Sequence, residues 1–367
     1  MSKIVTFTDK SMARMAETAV GSSKARLQEE LNRVIGMEIH CDCVTRITTT
    51  TKERTGNIAS AESRECQLND KALYDLGLFQ GLKYLCLKNA GRSAKKLYPH
   101  RWSAGIENLV VENTDMLLSV APSLDRLVNL KTLAVSLTAG KQLTLPKATK
   151  ERLTVLSTRY GSDYSFLEGC NALEEISIAE GGAVALQTLP KLPQVKRLSV
   201  TGYAGMDMSG IEKLPSVEYL NLSNSTVSDI AALAGLKKLQ AAGLCNSALF
   251  DLAPLAALPL QTLDVSGNMI EDVAALGEIE SLVYLDLAHN PIEDISPLAG
   301  CTNMELLHLS DTWVSDLSPL FGMKKLQELS VDLRFIKDKR QFRQLSHVAT
   351  INGQYFVDFM ASEKLND

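Results

Sequence analysis

An apolar residue returns along this chain on a 22-residue beat, and few folds can hold such a pattern. The column runs Ile176, Leu198, Leu220, Ala242, Leu263, Leu285, Leu307, Leu329 and Ile351, with one 21-residue step between Ala242 and Leu263, near Pro259. Two residues further on lies a second column: Ile178, Val200, Leu222, Leu244, Val265, Leu287, Leu309 and Val331. A third, from Leu173 to Val348, precedes the first by three residues. So short a unit cannot enclose a core by itself. It buries apolar side chains only against the next copy, so the columns predict a stacked array. Alternation around each Leu-x-Leu predicts a short strand with one buried face.

A polar column keeps the same beat: Asp207, Asp229, Asp251, Asp272, Asp294, Asp316 and Asp338. Each stands where a short turn of helix should begin, and a carboxylate there can accept an orphan backbone N–H. Pro254, Pro297 and Pro319 suit the first turn of such a helix. This structural role accounts for the column without a metal or a catalytic acid.

The unit "LVYLDLAHNPIEDISPL", Leu282 to Leu298, resembles the leucine-rich-repeat family in its 22-residue, internalin-like subclass. The resemblance covers about half the chain closely. It implies an α/β solenoid: a horseshoe or arc with a parallel β-sheet on the concave side and short 3-10 or helical turns on the convex side. One departure is the asparagine ladder. Only Asn268 and Asn290 occupy it, and Ser225, Ser247, Thr312 and Arg334 stand in elsewhere.

The first half repeats on a longer beat: Leu85, Leu109 and Leu133 are 24 residues apart. The expected organisation is a helical N-terminal cap over 1–40, with Gly36 as a helix stop. An irregular or strand-containing lead-in over 41–74 follows. Then come degenerate repeats over 75–152, regular repeats over 153–337, and a C-terminal cap and tail over 338–367.

Net charge is -5, which disfavours nucleic acid as the partner. No apolar run reaches the roughly 18 residues of a membrane span, and no apolar core of a secretion signal is visible. Seven scattered cysteines do not make a disulfide framework and suit a reducing, cytoplasmic setting. No cofactor fingerprint occurs, and His40, Cys41 and Cys43 are too tightly spaced for a usual zinc site.

Catalysis has one candidate, Asp286, His308 and Ser310, which neighbouring strands would bring to one face. A serine on an open strand lacks the elbow and oxyanion hole of a hydrolase, so a hydrolase, or the recognition arm of an enzyme, is the alternative reading. The main expectation is a module that binds another protein, one with a basic surface. On the concave face the candidate contacts are Tyr219, Asn221, Asp264, Tyr284, Asp286, His308, Glu328 and Asp332. A second candidate is an apolar rim of Met269, Pro291, Trp313 and Phe335, one residue before a buried Ile or Val in successive repeats. Against it stands the reading that the chain's own tail, with Tyr355, Phe356, Phe359 and Met360, folds back over the rim.

Overall fold

The computed structural model describes residues 31–41, 45–51, 62–65, 74–88, 99–138, 141–161, 163–182 and 185–365. The chain divides into two compact units, Met1–Ser177 and Ile178–Asp367. The division falls within a strand, Glu175–Ala179.

In the first unit, strands β1 (Val34–Cys41), β2 (Thr45–Thr51), β3 (Glu62–Glu65), β4 (Tyr84–Lys88), β5 (Asn108–Val111), β6 (Thr132–Ser136) and β7 (Val155–Arg159) precede β8 (Glu175–Ala179). Parallel pairing sets Leu85, Leu109, Leu133 and Leu156 side by side, all fully buried. The 24-residue beat is therefore the strand register itself. β1 extends this row, with Met37 opposite Leu85. β2 pairs antiparallel with β1, and β3 with β2.

The helical cap expected over 1–40 needs correction at its end. Residues 34–40 are strand, and Gly36 lies inside β1 rather than at a helix stop. A helix there would leave the edge of β4 unpaired. The β-branched residues Val34, Ile35 and Ile39 favour the extended form instead. Residues 1–30 lie outside the described residues, as does Cys43.

The second unit carries β9 (Arg197–Thr201), β10 (Tyr219–Asn221), β11 (Ala241–Gly243), β12 (Thr262–Asp264), β13 (Tyr284–Asp286), β14 (Leu306–Leu309), β15 (Glu328–Val331), β16 (Thr350–Ile351) and β17 (Gln354–Tyr355). From β9 to β16 the pairing is parallel, one strand per repeat, and each leucine of the first column faces the next across the ladder. Burying one such leucine contributes roughly 1.5–3 kcal/mol. The 21-residue step leaves the register intact: Ala242 still faces Leu263. The missing residue comes out of the return loop between the buried Leu258 and Leu260.

Short 3-10 turns return the chain from each strand, among them Ala231–Gly235, Ala274–Glu278, Ser296–Gly300 and Ser318–Gly322. The aspartate column opens them. Every member, from Asp207 to Asp338, accepts the backbone N–H two residues ahead at 2.7–3.0 Å. Asp163 does the same for Ser165.

The two ladder asparagines tie neighbouring repeats together. Asn290 is buried. Its amide donates to the carbonyls of Val265, Leu287 and Ala288, and its oxygen accepts from Ile270 N–H. Asn268 makes the equivalent set with Leu244, Val265, Ser266, Ser247 and Leu249. Where asparagine is missing the substitutes do less. Thr312 bonds only within its own repeat, to Leu309 O, while Ser225 and Ser247 bond each other. In the irregular repeats, buried tyrosines fill the space. Tyr164 reaches Thr158 and Gly161, and Tyr203 donates to Asp207 O.

At the C-terminal end the chain turns back through β17 into helix α1 (Phe356–Ser362). Phe359 and Met360 are buried. Lys339 pairs with Glu363 at 2.5 Å, and Arg343 donates to Leu365 O. The tail therefore seals the end of the column at Phe342.

Candidate functional site

The open face of the second unit's sheet gathers the chemistry that the fold does not consume. Leu220 and Leu222, and their equivalents, point into the core, so the residues flanking them point outward. Register then decides which outward side chains meet. Asp264 lies opposite Asp286, Asp286 opposite His308, and His308 opposite Ser330. Two residues earlier, Tyr284 faces Thr262 and Leu306, and Leu306 faces Glu328.

Four of the predicted face residues cluster. His308 Nδ1 lies 3.5 Å from Asp286 Oδ2, and its Nε2 lies 3.7 Å from Glu328 Oε1. The Tyr284 ring meets the imidazole edge-on at 5.6 Å, and its hydroxyl lies 3.5 Å from Asp286 Oδ2. Burial, and then the charges of Asp286 and Asp264, push the Tyr284 phenol up to about 12. It stays protonated at any working pH.

The carboxylates have a structural job as well. One oxygen of Asp264 accepts from Ser266 N–H and Oγ–H, and one oxygen of Asp286 accepts from Ala288 N–H. Asn221 does the same for Ser223. These bonds close the end of each strand and use one oxygen apiece. Asp286 Oδ2 is left to the cluster.

Three predicted face residues stand apart. Tyr219 and Asn221 sit on β10, three strands from Tyr284, and the Arg197 guanidinium covers the Tyr219 ring at 4.5 Å. Asp332 is not an open acid. Arg334 binds both its oxygens and reaches Asp311 at 2.9 Å, and the hydrogen bonds from Arg334 hold the Asp332 carboxyl below its ordinary value. A salt bridge two residues along was not visible in column counting.

The hydrolase arrangement is not assembled. Asp286 and His308 do come together, but the second ring nitrogen faces Glu328 rather than Ser310. Among the described residues no group of three His, Cys, Asp or Glu side chains has a metal-binding arrangement.

On the rim, Met269 is 56% exposed and Trp313 48% exposed, while Pro291 and Phe335 are half-buried. The tail does not take Trp313 from solvent, because its buried residues, Phe359 and Met360, belong to the end seal.

A further column went unread in the sequence. Gly202, Asn224, Asn246, Gly267, His289 and Asp311 all adopt positive φ, between 51° and 66°, just past the strand. These are residue types that tolerate the left-handed conformation, and their beat was there to be found. The column also makes contacts. Asn246 bonds Asn224 at 3.2 Å, and His289 pairs with Asp311 at 3.2 Å.

Comparison with known proteins agrees with this architecture. Residues 260–300 match the family described as Leucine Rich repeats (2 copies). No curated protein matches the chain by sequence. Among solved structures, an internalin (inlF) from Listeria monocytogenes str. 4b F2365 superposes with a TM-score of 0.62 at 19% identity, covering 94% of this chain and 95% of that one. A leucine-rich-repeat protein from Leptospira interrogans gives 0.58 at 19% identity, covering 80% and 79%. A plant peptide hormone receptor, RGFR1, solved in complex with RGF2, gives 0.50 at 17% identity, covering 83% of this chain and 56% of the receptor. The fold is that of a leucine-rich-repeat solenoid, an architecture typical of protein–protein interaction modules. Among the described residues no helix is long and apolar enough to cross a membrane.

Proposed function

We propose that the protein is an interaction module, working as an adaptor, an inhibitor or an effector. Its second unit receives a partner protein with a basic surface on the open face of the sheet. The observation that carries this reading is the group Asp264, Asp286, Glu328, Tyr284 and His308. Acidic and aromatic side chains on four neighbouring strands are presented outward, with carboxylate oxygens beyond those that the fold uses. Opposite charge steers encounter and fixes orientation more than it adds affinity. The small residues around the group, Ser266, Ala288 and Ser310, let a partner's backbone come close. Trp313 and Met269 on the rim give the same partner an apolar contact, and tryptophan is a favoured anchor in such contacts. The buried thiols Cys170 and Cys301, neither in a disulfide, support a reducing, cytoplasmic setting.

The test is capture from the native host with the whole chain and with an Asp264→Lys, Asp286→Lys double variant, the captured protein being identified by mass spectrometry. A basic protein retained by the first and lost by the second is the expected result. Equal capture by both removes this face.

A further inference from the structure

We propose that His308 makes the open face responsive to pH: on protonation its imidazole closes a clamp between Asp286 and Glu328 and competes with a cationic partner for those carboxylates. The proposal rests on the reading of the face given above and adds its regulation.

The geometry is specific. His308 stands on β14, between one carboxylate on β13 and another on β15. Asp286 Oδ2 lies 3.5 Å from Nδ1, and Glu328 Oε1 lies 3.7 Å from Nε2, just beyond bonding reach. Nε2 is closed off from solvent and has no hydrogen-bond partner. A neutral imidazole has one donor and one acceptor nitrogen. Flanked by two carboxylates, it can satisfy only one of them, and its lone pair meets the other. A protonated ring donates from both nitrogens. It then satisfies both carboxylates, bridges β13 to β15 across β14, and gives Nε2 the partner it lacks.

The other groups around the ring do not substitute for it. From β13, Tyr284 meets the ring edge-on, and its phenol, pushed up to about 12, stays neutral under mildly acidic conditions. Ser330 faces His308 from β15 and does not titrate. Asp264 on β12 lies one strand beyond Asp286 and is tied to Ser266. Carboxylates generally titrate near ~4, whereas imidazole takes up its proton between about pH 5 and 8. In that window imidazoles in general change charge and carboxylates in general do not. The charge of a protonated His308 ring offsets one of the three carboxylates Asp264, Asp286 and Glu328, and the ring occupies two of them.

Two measurements on the whole chain test this. The first is binding of a fluorescein-labelled hexalysine peptide at pH 7.5 and pH 5.5, at fixed ionic strength. Binding about tenfold weaker at the lower pH is expected, with that ratio collapsing towards one in His308→Gln. His289, paired with Asp311 on the rim, remains in the variant as an internal control. Equal binding at the two pH values, or an unchanged ratio in the variant, overturns the switch. Failure of the peptide to bind at either pH overturns instead the reading of the face as a site for cations. The second measurement follows the His308 imidazole by NMR titration. Its midpoint should fall in Asp286→Asn and again in Glu328→Gln, and a midpoint the same in all three proteins overturns the clamp whatever the peptide does.

Discussion

Phe359 meets Phe342 edge-on, with ring centroids 4.9 Å apart, and both rings are fully buried. One belongs to the terminal helix and the other to the last turn of the array, so this contact closes the end of the solenoid. Repeat arrays draw their stability from neighbour interfaces, and the last repeat has only one neighbour. Phe359→Ala should cost about 3–5 kcal/mol, read as a lower urea midpoint. Deleting 338–367 should expose Leu326, Leu329 and Val331 and give aggregates in size-exclusion chromatography. A monomeric truncation with unchanged melting temperature would mean that the end needs no seal.

The asparagine ladder should behave as a buried network. Asn290→Ala orphans Leu287 O and Ile270 N–H away from water and takes one of two donors from Val265 O and Ala288 O. Each orphan costs about 1–3 kcal/mol, so the substitution should rank among the most damaging single changes to the second unit. Thr312→Ala, one repeat on, removes a single bond to Leu309 O and should cost much less. Comparable losses for the two in chemical denaturation would contradict the inter-repeat role given to Asn290.

Charge reversal at Asp264 and Asp286 should separate binding from folding. Both side chains point away from the core, so the loss of the bonds from Ser266 and Ala288, which lysine cannot accept, should lower the melting temperature without undoing the fold. The double lysine variant should keep the far-ultraviolet dichroism of the parent while slowing association with a basic partner. The slowing should shrink as salt is added, because screening already weakens the steering. An effect confined to dissociation, and insensitive to salt, would point to lost contacts rather than lost charge.

Trp313 should report solvent. It is 48% exposed, whereas Trp102 is buried, so in a Trp102→Phe background the emission should be that of a wet indole. Removing 355–367 should leave its wavelength unchanged, since the tail packs at Phe342. A red shift on truncation would show that the tail shields the rim. Trp313→Ala should scarcely change the melting temperature.

Acid should loosen the return turns. Backbone N–H bonds lower the carboxyl pKa of Asp163, Asp207 and Asp294. Such a group stabilises the fold above its unfolded value, near ~3.9, and that contribution is lost as pH falls through the lower, folded value. The wild-type melting temperature should therefore drop between about pH 5 and 2. Replacing Asp207 and Asp294 with Asn keeps a capping oxygen that does not titrate, and should flatten the drop. An unchanged acid slope would assign acid sensitivity elsewhere.

Much of the fold could be read from spacing because one residue position in the repeat is one position in the ladder. Leu85, Leu109 and Leu133 needed only counting, and they are register partners. β1 was missed for the opposite reason. It has no earlier copy to count against, and a short run with Leu31, Val34 and Ile35 satisfies a helical period as well as an extended one. The site was half legible. Counting set Asp286 beside His308, since they are one repeat apart. It did not show Glu328 at the other ring nitrogen, because Glu328 is in register with Leu306 and reaches His308 diagonally. Side-chain length, not period, makes that contact. The same holds for Arg334, which occupies a ladder position in the sequence but folds outward onto Asp332 and Asp311.

The 21-residue repeat around Pro259 bears on how such a chain can change in length. Each aspartate closes its turn within its own repeat, and the strands pair by position alone, so one residue could be lost between Leu258 and Leu260 without disturbing Ala242 against Leu263. Whole units share the same logic: a duplicated segment would bring its own strand and its own capped turn. Growth or shrinkage by copying in the interior is structurally cheap, whereas the end carrying Phe359 has to be retained once, and only once.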